Sequence, residues 1–559
     1  MARFKLRKGV ELGKLGAEND KNLLEKVFVD QGHIDHLLDP DSPQFLILGR
    51  TGSGKTALIE QVKARVEHVS ELNPEELSMQ YLHNSQVLKQ LIQWGVNLDV
   101  FYKFLWRHVC ILQFIRMRYE ADEDTSGLVD KIVRLVSSSK RDEEQAREEA
   151  RRYLHEYGEE FWQTTDTRIK KLVNEVENTL RGDAQVDASL RAGLGQLSGR
   201  AGSSGESREK QQIEKEVVER AQKIVSNYLI ADLRRIIELL GKAGFNDPQR
   251  RYFIVIDDLD KNWMPDDDLY LGLVKSLLYT VYELNRTSPL KGIKVIVSLR
   301  ENIYHKVFQK VGIHEPQREK WLDVQVRLLW SKEELVELVD RRLEEVLREE
   351  YTQAVPTLND ILPPKRRTHE EDALEFILQR TFMRPRDIID YLNTCLKQIA
   401  ERAGILSWST LTQAEVEFSQ RRLDSVIDEW KDSFFGLPAL FSTIRRLGPK
   451  FQLSDITENE VNDVLSSERC DSCPWLSSLQ VQFCTNRMSS TEIAIEFLKA
   501  LYLIGIVGYK QTSDPMVVYA FDKPLTTSPA VLNTTRFYVH RMFWSAFHFP
   551  MSQKVEAGV

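Results

Sequence analysis

An α/β fold built on a parallel sheet, with a large helical insertion and further helical parts behind it, is predicted by three apolar runs that each end in polar chemistry. Phe45, Leu46, Ile47 and Leu48 lead directly into Gly49, Arg50, Thr51, Gly52, Ser53, Gly54, Lys55 and Thr56. Residues 252–256 (Tyr-Phe-Ile-Val-Ile) end in Asp257 and Asp258, and residues 293–297 (Ile-Lys-Val-Ile-Val) end in Ser298, Leu299 and Arg300. Short apolar runs closed by such residues, separated by stretches of helical periodicity, are the pattern of buried parallel strands that deliver their C-terminal ends to one edge.

The first run is the most specific. Gly49, Gly54, Lys55 and Thr56 satisfy G-x-x-x-x-G-K-[ST], and Gly52 gives the backbone the freedom to turn its N–H groups inward around phosphates. This spacing predicts a P-loop NTPase core. Lys55 is expected at the β/γ-phosphates, Thr56 on Mg²⁺, and the helix opening at Lys55 adds its N-terminal dipole. Arg50, Thr51 and Ser53 complete the nucleotide-binding stretch. Asp257 then serves as the second metal-shell residue and Asp258 as the group that orients the attacking water, so the expected cofactors are ATP and Mg²⁺.

Length and composition set the frame. A chain of 559 residues exceeds one compact domain, and 42% hydrophobic with 29% charged residues fits a folded, helix-rich protein. A net charge of -8 gives no whole-chain signal for nucleic acid or an anionic membrane. The basic N-terminus lacks the apolar run of a signal peptide, and no stretch approaches the roughly 18 apolar residues of a membrane span. The expectation is a cytoplasmic protein.

Taken in order, residues 1–43 read as a lead-in with a short helix near 17–25. The core spans 44–330, interrupted after the phosphate loop by about 195 residues, far more than a parallel crossover needs. The insertion, at about 66–248, reads as helical. Residues 87–117 carry apolar positions at helical spacing, 140–152 alternate charge sign as a solvated face does, and 193–205 are Gly/Ser-rich like a linker. Asp260 and the run Asp266, Asp267, Asp268 read as turn and helix-start residues. Arg300 and Ser298 are candidate sensors of the γ-phosphate, with an ion pair from Arg300 to Glu301 or Asp257 as the alternative. Residues 322–330 read as the last strand.

Residues 331–430 then form a helical lid. Ser331 and Glu334 make a capping box, and Pro385 at a helix start places Arg384 and Arg386 where they reach phosphates or pin the lid to Asp387 or Glu375. Residues 431–559 read as helices followed by a hairpin of 505–510 and 517–521, a winged-helix-like module. Its charge is balanced, twelve Lys/Arg against twelve Asp/Glu, which favours a protein-contact role over phosphate-backbone binding. Cys470, Cys473 and Cys484 raise zinc as an alternative to free thiols, with no fourth ligand near in sequence.

Three segments, residues 49–56, 254–260 and 295–300, resemble P-loop ATPases of the STAND and KAP groups in the AAA-related class. The chain is more closely similar to a family of bacterial P-loop ATPases with a Val-Ile-Asp-Asp-Leu-Asp-Lys acidic strand end. That similarity rests on Ala17-Glu-Asn-Asp20, residues 48–56, residues 95–108, Ile256-Asp-Asp-Leu-Asp-Lys261 and Met383-Arg-Pro-Arg-Asp387, and covers residues 17 to about 430. The resemblance implies ATP-Mg at Gly52, Gly54, Lys55, Thr56 and Asp257, with Asp258 activating water. It also implies a bacterial setting in conflict or anti-phage systems beside a separate effector. Asp258 stands where fast AAA motors carry glutamate, which implies slow turnover, and the insertion has no membrane span, unlike many KAP relatives.

The expected function is therefore a slowly hydrolysing, nucleotide-dependent switch with a protein partner and a homo-oligomeric state. Arg318 and Arg50 are candidates for an arginine given to a neighbouring subunit. The alternative is a DNA-acting ATPase that places its winged helix on nucleic acid. A phosphotransferase ranks third.

Overall fold

The computed structural model describes Phe4, Leu6 and residues 9–72, 99–119, 237–238, 240–241, 245, 247–257, 259, 268–310, 318–348, 355–366, 370–400, 405–431, 434, 436–467, 473–510, 516–520 and 535–550. The 140–152 and 193–205 stretches, Asp258, Asp260, Asp266, Asp267, Cys470 and the side chain of Arg318 lie outside the described residues. The chain forms two compact units: residues 30–51 with 55–328, and residues 1–29 with 52–54 and 329–559.

The first unit is a five-stranded parallel sheet. Its strands are β1 (Leu46–Gly49), β2 (His68–Leu72), β3 (Tyr252–Ile256), β4 (Ile293–Arg300) and β5 (Gln325–Arg327), in the order β2-β3-β4-β1-β5. β1 and β3 are buried at every position, as expected for strands covered on both faces. On one face, helix Asp99–Tyr119 packs against helix Asp268–Thr287, and the Trp106 indole donates to the Leu273 carbonyl at 3.1 Å, so this large ring is buried with its one donor satisfied. At the foot of β4, the buried Lys294 ammonium donates to the carbonyls of His36, Asp39 and Ser42 at 3.0, 2.5 and 3.0 Å, tying down the end of helix Ile34–Leu38.

Two expectations about this unit change. β2 falls inside the stretch expected to be helical insertion; it is an edge strand whose positions are mostly half-exposed, so its sequence lacks an apolar run. The last strand shrinks from 322–330 to Gln325–Arg327, because residues up to Leu322 close the short helix Arg318–Leu322.

The second unit is mainly helical. Helix Lys332–Leu347 opens with the Ser331/Glu334 capping box and is followed by Leu358–Ile361, Ala373–Leu378, Pro385–Ala400 and Trp408–Trp430. The N-terminal segment belongs here: Asp20 and Arg342, both buried, pair at 2.8 Å, and the Leu12 N–H donates to Asn393 Oδ1 at 2.8 Å. The expected lead-in of 1–43 is thus divided between the units at residue 29/30.

Residues 439–539 add helices Ala439–Leu447, Glu458–Leu465, Pro474–Cys484 and Ser490–Leu503 and a three-stranded antiparallel sheet: β6 (Lys450–Gln452), β7 (Val507–Lys510) and β8 (Arg536–Val539), in the order β6-β8-β7. The expected pairing of 505–510 with 517–521 is seen in part: Tyr509 and Val518 exchange both backbone hydrogen bonds, at 2.9 and 2.8 Å, in an antiparallel bridge, and β7 also pairs with β8, which the sequence does not lead one to expect. The side chains of these helices and of the 333–427 helices share one continuous hydrophobic cluster, running from Leu335 through Phe418 to Phe547.

Candidate functional site

The residues between β1 and helix Lys55–Lys63 form a tight loop with Gly52 at φ +80° and Gly54 at φ +100°. Both angles lie in the left-handed region that glycine reaches without strain. Lys55 Nζ donates to the Gly49 carbonyl at 3.0 Å and the Arg50 carbonyl at 3.2 Å, so the ammonium lies over the loop that precedes it. Thr56 Oγ1 donates to Asp257 Oδ2 at 3.1 Å. Two residues 201 positions apart, each chosen from sequence as an oxygen ligand for one cation, are therefore in direct contact.

Strand order explains the meeting. β4 lies between β1 and β3, with Gly49 opposite Arg300 and Ile256 opposite Val297. All three strands end at the same edge, so Asp257, Ser298, Arg300 and the loop after Gly49 are gathered there. Asp257 is 7% exposed, and Ser298 is 2% exposed with an Oγ that has no hydrogen-bond partner among the described residues. Ser53 is in the same condition at 3% exposure. Buried hydroxyls without partners are uncommon in folded proteins, and Ser298 stands on β4 beside the end of β3 that leads into Asp257. A carboxylate, two hydroxyls, a lysine ammonium and backbone N–H groups on a glycine loop make a donor set that fits a magnesium-bound oligophosphate. Glu301, offered as a partner for Arg300, pairs with Arg327 at 3.7 Å.

In the other unit, the loop tip 52–54 is held by two residues of that same unit. The Arg386 N–H donates to the Gly52 carbonyl at 3.3 Å and the Trp330 indole donates to the Ser53 carbonyl at 2.8 Å. A Cβ on Gly52 would stand 2.8 Å from the Arg386 Cβ, so the arginine stem lies directly on the glycine. Trp330 was not among the residues expected at the site; an aromatic directly after the last strand was its only signal.

The two lid arginines separate in role. Arg384 is buried, and its Nε donates to Asp387 Oδ2 at 2.8 Å, while Arg422 reaches Asp387 Oδ1 at 3.3 Å. Burial alone would raise the Asp387 pKa, but the two guanidiniums outweigh it and hold the carboxyl down at about 2. Arg384 therefore pins the lid to Asp387, one of the two roles its position allowed. Among the described residues Arg386 makes no ion pair; burial, then the neighbouring charges of Arg384 and Arg422, lower its pKa.

Among the described residues no group of three or more His, Cys, Asp or Glu is arranged to hold a metal. Cys473 is buried and its Sγ accepts from the Gly436 N–H at 3.3 Å, and Cys484 is exposed at the end of helix Pro474–Cys484. No helix among the described residues is long and apolar enough to cross a membrane.

The profile of a FunZ-associated C-terminal helical domain matches residues 333–427, the stretch that contains Arg384, Arg386, Asp387 and Arg422. Curated proteins give no match to the chain.

Proposed function

We propose, from the glycine loop, the acidic strand end and a chain similar over residues 333–427 to a FunZ-associated helical domain, that this protein is a P-loop ATPase acting as a nucleotide-dependent switch. The observation that carries the reading is the Thr56–Asp257 contact at 3.1 Å, because it joins the two motif halves that an Mg-nucleotide site requires. Bound Mg²⁺ would supply charge neutralisation at the β- and γ-phosphates. Thr56 and Asp257 would hold it, Lys55 would turn from its carbonyl partners to phosphate oxygens, and the backbone N–H groups of the glycine loop would supply donors to the phosphates. Asp258 would orient water, and slow turnover is expected from an aspartate where fast AAA motors carry glutamate. Ser298 and Arg300 sense the γ-phosphate from β4.

Arg386 is the lid arginine in this reading. It lies on Gly52 and forms no ion pair among the described residues, so this reading gives it the task of telling a triphosphate from a diphosphate. The C-terminal module shares a hydrophobic cluster with the lid, so a lid displacement carries the module with it. A setting in bacterial anti-phage defence, with a separate effector and a homo-oligomeric form, extends this reading on the STAND/KAP-like resemblance alone.

The alternative, a DNA-acting ATPase, draws on one observation: helices combined with a three-stranded sheet in the order β6-β8-β7 are compatible with a winged helix. Its groove-facing element would be helix Ser490–Leu503. That helix carries one lysine, Lys499, paired with Glu496 at 2.6 Å, and a second acid, Glu492. Such a face gives no counterion-release driving force, so a protein-contact role for the module is preferred. The test of the main reading is Mg-dependent ATP binding and turnover in wild type, Lys55→Ala and Asp258→Asn. Loss of binding in the first variant and of turnover in the second is expected; equal turnover in all three overturns the proposal.

A further inference from the structure

The parallel sheet has a second polar concavity at the edge opposite the phosphate loop. His68 and Tyr252, the first residues of β2 and β3, face each other in register and stack with ring centroids 4.8 Å apart. Around them opens a cavity of about 470 Å³ whose lining includes Arg65, Arg118, Arg250 and Arg251, with Glu67 as its one acid. Its volume falls in the range of small-ligand sites, but its charge is unlike a generic cleft.

Arg65, Arg250 and Arg251 are exposed, and among the described residues none forms an ion pair with a carboxylate. Arg65 is steadied by the Gln61 carbonyl and Oε1 at 2.9 and 2.8 Å, and Arg251 by the Leu38 carbonyl at 3.4 Å. Each keeps donors to spare, since a guanidinium carries five. Asp247, the acid nearest to Arg250 in sequence, accepts at its Oδ1 from the Gln249 N–H at 2.9 Å, and its backbone carbonyl accepts from the Arg250 N–H at 3.3 Å, closing the turn. The turn is also locked from behind. Gly292, at φ +69°, lies so close that a Cβ there would be 2.2 Å from the Arg250 carbonyl oxygen, and its own carbonyl accepts from the Tyr252 N–H at 2.8 Å. Uncompensated guanidiniums on a rigid turn, facing into a polar hollow, focus a positive potential there.

We infer that this hollow is an anion site for a phosphate-bearing ligand, an oligophosphate or the phosphates of a single nucleic-acid strand, separate from the nucleotide loop. Planar guanidinium forks match phosphate oxygens in pairs, which surface lysines do not. The length of β3, about 13 Å at ~3.3 Å per residue, separates it from Asp257, so one ligand phosphate does not serve both places.

The full-length chain with Lys55→Ala, which removes the loop lysine, is titrated with tripolyphosphate by calorimetry. A 12-nucleotide fluorescein-labelled single-stranded DNA is followed by anisotropy from 50 to 200 mM salt. Binding of at least one probe is expected, and Arg250→Ala/Arg251→Ala should weaken it about tenfold or more. For the DNA, loss of two phosphate contacts should reduce the log–log salt slope by about 1.4. Tripolyphosphate binding that competes with the strand identifies a small oligophosphate as the ligand class; binding of the strand alone identifies nucleic acid. In the otherwise wild-type chain the double substitution should leave melting temperature and ATP turnover unchanged, which separates this site from both misfolding and the loop. If neither probe binds at 50 mM salt, or the double variant keeps the parent's affinity for both, the inference is wrong.

Discussion

Asp387→Ala should be the most damaging single substitution in the helical unit. Asp387 is fully buried between Arg384 and Arg422 and also accepts the Phe382 N–H at 2.9 Å. Its pKa is held down to about 2, below the ordinary aspartate value of 3.8, a stabilisation on the order of 2 kcal/mol. Because the folded value is the lower one, this contribution is fully present above pH ~4 and fades as pH falls through 2. Truncation costs more than the titration does, because it leaves two buried guanidiniums without their shared carboxylate, a loss of about 3–5 kcal/mol. The start of helix Pro385–Ala400 should fray, and with it the seat of Arg386 on Gly52. Hydrogen exchange at pH 7, read on residues 385–400, should show protection falling by at least a hundredfold, with ATP affinity falling in parallel. Replacing all three residues with apolar ones of similar volume should recover most of the protection but not the ATP affinity. Unchanged exchange in Asp387→Ala would refute the claim that this ion triad holds the lid.

Four further outcomes follow from the same geometry. Asp257→Asn and Thr56→Ala should each weaken the Mg²⁺ dependence of ATP binding at least tenfold while leaving metal-free nucleotide binding within about twofold, measured by calorimetry with and without EDTA. Arg386→Ala should lower turnover more than ATP affinity, read as a kcat against KM split, since its proposed role is to distinguish the triphosphate. Gly52→Ala should cost about 1–2 kcal/mol in thermal unfolding and abolish turnover, because φ +80° is strained for alanine and its Cβ meets the Arg386 stem. For Lys294, burial lowers the pKa to about 8 against the weaker upward pull of Asp39 and Asp41. The unfolded chain therefore binds this proton more tightly between pH 8 and 10.5, and wild-type stability should rise relative to Lys294→Met across that window in chemical denaturation.

What the sequence discloses here follows how much each residue type can mean. The loop at 49–56 is legible because glycine at two positive-φ positions followed by Lys-Thr has few uses other than a phosphate cradle. The strands β1, β3 and β4 are legible because burial on both faces demands unbroken apolar runs. β2 escapes notice because an edge strand needs burial on one side only, and His68-Val-Ser-Glu-Leu72 satisfies that with two apolar residues. The β7–β8 pairing is hidden for another reason: 25 residues separate the strands, and the nearer candidate at 517–521 carries the better β-propensity. Arginine is the least legible type, because position alone does not distinguish a charge neutralised within the fold from one left to meet a ligand. Arg384 and Arg386 stand two residues apart in Met383-Arg-Pro-Arg-Asp387, and only the three-dimensional placement of Asp387 and Arg422 assigns the first to the core and leaves the second with the loop. The same test selects Arg250 and Arg251, which no motif marks: a guanidinium held rigidly and without a carboxylate keeps its electrostatic energy for a partner the chain does not itself supply.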